Sequence, residues 1–289
     1  MATEFAVIGG SQAYALLGKG AIKGRRLGER QTPFGPSQPL YLLRANATEF
    51  LFLSRHGEKG YEVSAPYVNY RANIFALKDA GVKKILAWSG PGAISRGFSI
   101  GQYVVVDDVL DETRGRCSTF FEKGGLGFIR QNPVFCPSLR RLLSETLKRL
   151  ELGFTDQGTY VCTQGPRLET PAEVRKYASF GGELVGMTLV PEVFLARELE
   201  MCYAALCYVS NYAEGVVDRP FRAGELFEGL SNSEEGRRVA QAVAQFPRVI
   251  AELAEVLVKA QEPCDCGSAM QRYKKEGRIG EDWRAWIKT

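Results

Sequence analysis

Residues 68–93 read VNYRANIFALKDAGVKKILAWSGPGA. Tyr70, Ile74 and Leu77 recur at helical spacing, which places them on one apolar face. Gly81 is a natural residue just past a helix C-terminus. Lys84–Ser89 then forms a short apolar run that ends in Gly90-Pro91-Gly92, the pattern of a buried strand entering a loop. One helix feeding one strand is half of a βαβ repeat, and the pattern continues on both sides. Upstream lie the apolar runs EFAVIGG (4–10), PLYLLRA (39–45) and EFLFLSRHG (49–57). Downstream, QYVVVDDVL (102–110) reads as one strand and PSLRRLLSETLKRLEL (137–152) as an amphipathic helix. GTYVCTQGP (158–166) reads as a strand into a loop, TPAEVRKYASFGG (170–182) as a helix, ELVGMTLVPEVFLARELE (183–200) as strand, loop and helix, and CYAALCYVSNY (202–212) as a buried strand. A helical stripe of Val239, Val243, Phe246, Ile250, Leu253 and Leu257 is interrupted at Pro247. Such alternation predicts an α/β fold with a largely parallel central sheet. Ligands of such sheets sit beyond the carboxyl ends of the strands.

The bulk composition narrows the class. The chain has 289 residues, 45% hydrophobic and 24% charged, enough to bury a sizeable core. A net charge of +4 with no long basic block gives no reason to expect nucleic acid as a partner. MATEFAVIGG lacks a basic segment followed by a long apolar one, so no secretory signal is expected. No apolar window is long enough to span a bilayer. The seven cysteines are Cys117, Cys136, Cys162, Cys202, Cys207, Cys264 and Cys266. Five stand singly in apolar or loop surroundings, as expected of small hydrophobes in a reducing, cytoplasmic compartment. The last two form CDCG, a poor zinc site on sequence grounds because no His or further paired Cys lies nearby. Composition changes at Pro263, which divides a main domain (1–262) from a C-terminal appendage (263–289) containing the C-x-C and a short helix.

Several strands end in small or polar loops that can meet at one site. IGGSQAYALLGKG (8–20) is Gly-rich after a strand, but Ala13 and Tyr14 break the G-x-G-x-x-G spacing that a dinucleotide requires. What survives is Ser11 after two glycines, either an oxyanion ligand or the cap of a tight turn. SRHG (54–57) holds Arg55 and His56, the single histidine. Arg offers a fork of donors matched to phosphate, and His adds one or two more. Ser89, with Gly90 beside it, and Thr188 carry hydroxyls at equivalent strand ends. Each of these is also what a solvated strand end carries, but together they make an anion site. Glu169 stands just before a helix, where the dipole favours a carboxylate in any case. Asn211 ends an apolar strand, as an amide ligand or a turn residue.

Taken in order, VIGGS, TPFGPS, SRHG, VNYRANIFALKDAGV, GTYVCTQGPRLET and GMTLVPEVFLARE resemble the trimeric purine nucleoside phosphorylase and 5′-methylthioadenosine phosphorylase family, from about residue 4 to 258. The resemblance implies a single α/β domain with a central mixed β-sheet flanked by helices, assembled as a homotrimer or a dimer of trimers. It implies phosphorolysis of purine nucleosides, with inorganic phosphate as co-substrate and no metal or organic cofactor. In that scheme Ser11, Arg55, His56, Ser89, Gly90 and Thr188 hold phosphate. Met187 lines the ribose, Leu168 stacks near the base or sugar, and Glu169 and Asn211 read the purine edge.

The residues at the base position depart from half the family. Methylthioadenosine phosphorylases resemble one another in GPRFSS and TDYD, whereas this chain has GPRLET and SNYAEG, with Glu169, Asn211 and Ala213 at the variable places. That set resembles the enzymes specific for 6-oxopurines. A carboxylate accepts from the N1–H of hypoxanthine or guanine, while adenine N1 has no proton to give, a buried mismatch of about 1–3 kcal/mol. The expected substrates are inosine, guanosine and 5′-methylthioinosine. The alternatives are a methylthioadenosine phosphorylase of methionine salvage and a purine-binding protein without turnover. Because His56 is the single histidine, no His can meet the 5′-hydroxyl. Phe221, Leu226 and Phe227 are apolar candidates for that end of the site. The CDCG tail resembles a C-x-C of some hyperthermophile relatives, as a disulfide or as two free thiols.

Overall fold

A computed structural model describes residues 3–10, 12, 23–218, 233–259 and 263–288. Its strands are β1 (Phe5–Gly9), β2 (Lys23–Gly28), β3 (Gln31–Thr32), β4 (Gly35–Pro36), β5 (Leu40–Ala45), β6 (Thr48–Ser54), β7 (Lys84–Ser89), β8 (Gly92–Ala93), β9 (Tyr103–Val105), β10 (Asp108–Glu112), β11 (Phe154–Thr155), β12 (Thr159–Thr163), β13 (Leu184–Gly186), β14 (Cys202–Tyr208) and β15 (Asn211–Tyr212). Its helices are α1 (Tyr70–Asp79), α2 (Pro137–Arg149), α3 (Pro171–Ser179), α4 (Glu192–Glu198), α5 (Glu234–Ala244), α6 (Phe246–Lys259) and α7 (Gln271–Lys275).

The main sheet has eight strands in the order β11-β9-β14-β7-β1-β6-β5-β2. Its centre, β14-β7-β1-β6, is parallel. Both flanks turn antiparallel, at β14–β9 on one side and β6–β5–β2 on the other. The sheet is therefore mixed rather than largely parallel, because the two apolar runs at 39–57 are joined by a tight turn and must pair as a hairpin. A second sheet runs β10-β12-β13-β8-β15. The run 102–110, read as one strand, splits between the sheets: Tyr103–Val105 pairs with β14, and Asp108–Glu112 pairs with β12.

Both faces of the central strands are buried, which explains their unbroken hydrophobicity. Ala6 and Ile8 of β1, Ile85 and Ala87 of β7 and Ala205 and Cys207 of β14 pack with α1 and α4 on one side. Val7, Leu86, Trp88, Leu206 and Tyr208 face α2 and α6 on the other. The long C-terminal stripe is interrupted as expected, but two residues before Pro247. The break falls at Gln245, one residue before Phe246 opens α6, so Pro247 sits in a first turn where its missing N–H costs nothing.

The segment 263–288 lies against this core. Met270, Tyr273 and Trp286 are buried in the same cluster as Ile8 and Leu77. The Tyr273 hydroxyl accepts from Phe128 N–H at 2.9 Å. Cys264 and Cys266 are free thiols. They are not isolated from the other cysteines, for Cys136 and Cys202 lie beside them. This corrects the reading of Cys136 and Cys202 as dispersed hydrophobes and of CDCG as without further cysteine partners. Neighbours in sequence were the wrong test, since the partners come from α2 and β14.

Candidate active site

The register of the parallel strands brings their ends to one level. Gly9 pairs with Ser54, Ile8 with Ala87, and Cys207 with Ser89. Arg55 follows directly, and its guanidinium is fully buried. It forks onto Glu192 of α4, with Nε–Oε2 at 3.0 Å and Nη2–Oε1 at 2.8 Å. Its Nη1 donates to Trp88 O at 3.0 Å and to Thr188 Oγ1 at 3.4 Å. Burial alone would lower the guanidinium's pKa, but the Glu192 carboxylate more than offsets it and keeps the charge in place. Glu192 also accepts from Tyr203 Oη at 2.6 Å. Glu192 is not among the residues expected at the site, although a carboxylate in the first turn of a helix after GMTLVP is a visible signal.

His56 is buried, and its Nδ1 lies 2.8 Å from Val63 O. A carbonyl can only accept, so Nδ1 carries the proton. Burial first and Arg55 second push the imidazole pKa down to about 4, against the pull of the Val63 carbonyl. His56 is thus neutral at pH 7, with its lone pair on Nε2. Ser89 Oγ lies 3.3 Å from Tyr160 Oη, and burial holds that phenol protonated. Gly90 must be glycine for packing reasons: a Cβ there would stand 2.6 Å from the Tyr208 ring.

The second sheet supplies the other wall. Glu169 is buried, and its Oε1 accepts from Thr163 Oγ1 at 2.5 Å. Thr170 caps α3 in a reciprocal box, its Oγ1 accepting from Glu173 N–H while Glu173 accepts from Thr170 N–H. That box fixes the turn in which Glu169 sits. Gly165 has φ +63°, and a Cβ there would approach Met187 Sδ to 2.5 Å, so the Leu168-bearing loop and Met187 are tightly opposed. Both Leu168 and Met187 are half-buried.

Arg116 ties these loops together. Its Nη1 donates to Met187 O at 2.8 Å and Val190 O at 2.6 Å, and its Nη2 to Thr163 O at 3.1 Å and Gln164 O at 2.7 Å. In DETRGRCSTF (111–120) nothing in the spacing marks it as a site residue.

Asn211 is half-buried at the start of β15, which pairs with β8 at Gly92. Its Oδ1 accepts from Ser210 Oγ at 2.6 Å, and its Nδ2 donates to Tyr212 O at 2.8 Å, leaving one amide N–H for another partner. Ala213 is buried, with its N–H on Ala93 O at 2.8 Å. Through these contacts Arg55, Thr188, Ser89, Met187, Glu169 and Asn211 line adjoining strand ends. Ser11, Phe221, Leu226 and Phe227 lie outside the described residues. Among the described residues no helix is long and apolar enough to cross a membrane.

Residues 4–255 match the family model described as the phosphorylase superfamily. The chain is 40% identical over 265 residues to a probable S-methyl-5′-thioinosine phosphorylase of Methanothermobacter thermautotrophicus, covering 92% of this chain and 88% of that protein. It is 34% identical to a 6-oxopurine nucleoside phosphorylase of Pyrococcus furiosus, covering 93% and 98% of the two chains. The crystal structure of a methylthioadenosine phosphorylase from an antarctic soil metagenomic library superposes with a TM-score of 0.82 at 27% identity, covering 94% and 92%. A site of anion-type donors at matched strand ends, on a fold and a sequence shared over nearly the whole length, places this chain in the phosphorylase superfamily.

Proposed function

We propose that this protein cleaves purine nucleosides by phosphorolysis, yielding the free purine and the sugar 1-phosphate, with preference for 6-oxopurines including 5′-methylthioinosine. What supports this reading is two groups of polar side chains, Arg55–Glu192–Thr188 with Ser89 and His56 in one and Glu169–Thr163 with half-buried Asn211 in the other. Because Arg55 donates to Thr188 Oγ1, the threonine hydroxyl proton is left to point at a phosphate oxygen. Four of the guanidinium donors are directed at Glu192, Trp88 and Thr188, so the buried Arg55 acts on phosphate through its charge and through the Thr188 hydroxyl that it orients. Neutral His56 accepts at Nε2 from the P–O–H of hydrogen phosphate. Ser11, in the VIGGS motif, is assigned to the same phosphate by the family resemblance alone.

In the reaction the C1′–N9 bond breaks with its electron pair passing to the purine, and a phosphate oxygen forms the new bond to C1′. The held phosphate stabilises the cationic sugar as that bond loosens. Asn211 donates its remaining N–H to O6 or N7 as negative charge builds on the base, and Glu169 accepts from N1–H. Leu168 and Met187 cover the base and sugar, and Ala213 leaves room where an adenine-binding carboxylate would stand. No enzyme nucleophile, metal or organic cofactor enters these steps. The active assembly is a homotrimer or a dimer of trimers, and the enzyme works in the cytoplasm in purine salvage.

The test is cleavage of inosine, guanosine, 5′-methylthioinosine and 5′-methylthioadenosine, each with and without phosphate. Phosphate-dependent release of hypoxanthine or guanine is expected. Cleavage of 5′-methylthioadenosine alone would assign the chain to adenine nucleosides instead, and purine binding without product would make it a binding protein.

A further inference from the structure

The sulfurs of Cys136, Cys202, Cys264 and Cys266 all lie within 4.8 Å of one another. They come from three separate stretches of chain: the N-cap of α2, the first residue of β14 and the C-terminal tail. Cys136 and Cys266 are buried, while Cys202 and Cys264 are half-buried. Cys202 Sγ and Cys264 Sγ are 3.3 Å apart, and all four are free thiols. Four thiolates at about 2.3 Å from a tetrahedral ion have sulfur–sulfur edges of roughly 3.8 Å. The cluster is within a small adjustment of that figure.

The backbone around the sulfurs is fixed by bonds in which the thiols take no part. Cys136 N–H donates to Tyr203 O at 2.8 Å, which holds α2's first turn beside Cys202. Ser138 Oγ donates to Pro263 O at 2.7 Å, which holds the tail beside the same turn. Leu139 N–H points at Cys136 Sγ at 3.5 Å, and the α2 N-terminus favours negative charge there. Such outer hydrogen bonds orient metal-bound sulfur. The cluster has no part in the catalytic site: Cys202 opens β14 and Tyr208 closes it, so the two are separated by about 20 Å of strand.

We propose that Cys136, Cys202, Cys264 and Cys266 bind one zinc ion as four thiolates, a structural site that fastens residues 263–288 to the core. Binding replaces four S–H bonds with four Zn–S bonds and releases four protons. Tetrahedral all-sulfur coordination suits zinc, or a single iron. With every position filled by protein, the ion has no open place for substrate.

The protein is purified from zinc-supplied cells under reducing, chelator-free conditions, and its metals are counted by mass spectrometry. One zinc per chain is expected. Cys117→Ser, at an exposed thiol, keeps it, while Cys264→Ser combined with Cys266→Ser loses it. Because the double variant could fail to fold, wild-type protein is also stripped of metal under reductant and titrated with Co2+. A thiolate-to-cobalt charge-transfer band and the visible bands of tetrahedral cobalt are expected to saturate at one ion per chain. A parallel lysate is denatured with a thiol-trapping alkylator and chelator, and all seven cysteines are expected to be alkylated. A reduced protein that takes up neither zinc nor cobalt overturns the site, as do disulfides among these four in the trapped lysate. One iron per chain overturns the identity of the ion.

Discussion

His56 and Glu198 show how buried single groups govern this protein's response to pH. His56 has its pKa lowered from 6.5 to about 4, by burial and then by Arg55. Its contribution to stability is fully present above 6.5 and is lost as pH falls toward 4, because the unfolded chain takes the proton first. Glu198 has its pKa raised from 4.5 to about 7 by burial, against hydrogen bonds from Thr119 and Phe120. Its contribution is fully present below 4.5 and is lost as pH rises toward 7. Between pH 4.5 and 6.5 the two slopes oppose each other at about 1.4 kcal/mol per unit each. Glu198→Gln should therefore make stability, relative to wild type, fall by about 2–3 kcal/mol on acidification across that window. His56→Gln should make it fall on going the other way. Denaturant midpoints at pH 4.5, 5.5 and 6.5 check this, and parallel profiles for all three proteins would refute it. At the same scale, Glu169→Ser with Asn211→Asp should shift the ratio of adenosine to inosine cleavage about tenfold or more toward adenosine. An unchanged ratio would remove these two residues from base recognition.

At the scale of elements, the site depends on loops that single strands cannot hold in place. Arg116 satisfies four backbone carbonyls, at the end of β12 and in the loops after β12 and β13. Arg116→Met leaves those carbonyls without their donor and lets the Glu169 and Thr188 loops drift apart. We expect kcat/KM to fall by about 100-fold, with the unfolding midpoint lowered as well; an unchanged kcat/KM would reduce Arg116 to a packing residue. The elements themselves were largely legible, because each announced itself locally. Thr170 ahead of Pro171 marked a helix start, and Gly81 the end of α1. The division of residues 102–110 between two sheets was not legible: Asp107-Asp108 interrupt the apolar run at the break, but only the pairing shows that its two halves join different partners.

For the molecule as a whole, the tail is part of the core. Trp286 is 3% exposed and packs in the same cluster as the central sheet. Trp286→Ala should cost about 3–5 kcal/mol, read as one cooperative transition in denaturant by both tryptophan fluorescence and circular dichroism. A separate early transition confined to the tail would mean that 263–288 folds apart from the core. Alternating helices and strands, apolar runs without polar interruption and polar strand ends are properties of short windows. From those windows the α/β class and the loops carrying Arg55, Ser89, Glu169, Thr188 and Asn211 could be read directly. The partners those residues take are set by chain segments far apart in sequence. Glu192 lies 137 positions from Arg55, and the Cys136–Cys202–Cys264–Cys266 cluster joins three remote segments. Side-chain pairing across sheets depends on register and crossover, which no local pattern encodes, so only the tertiary structure decided those contacts.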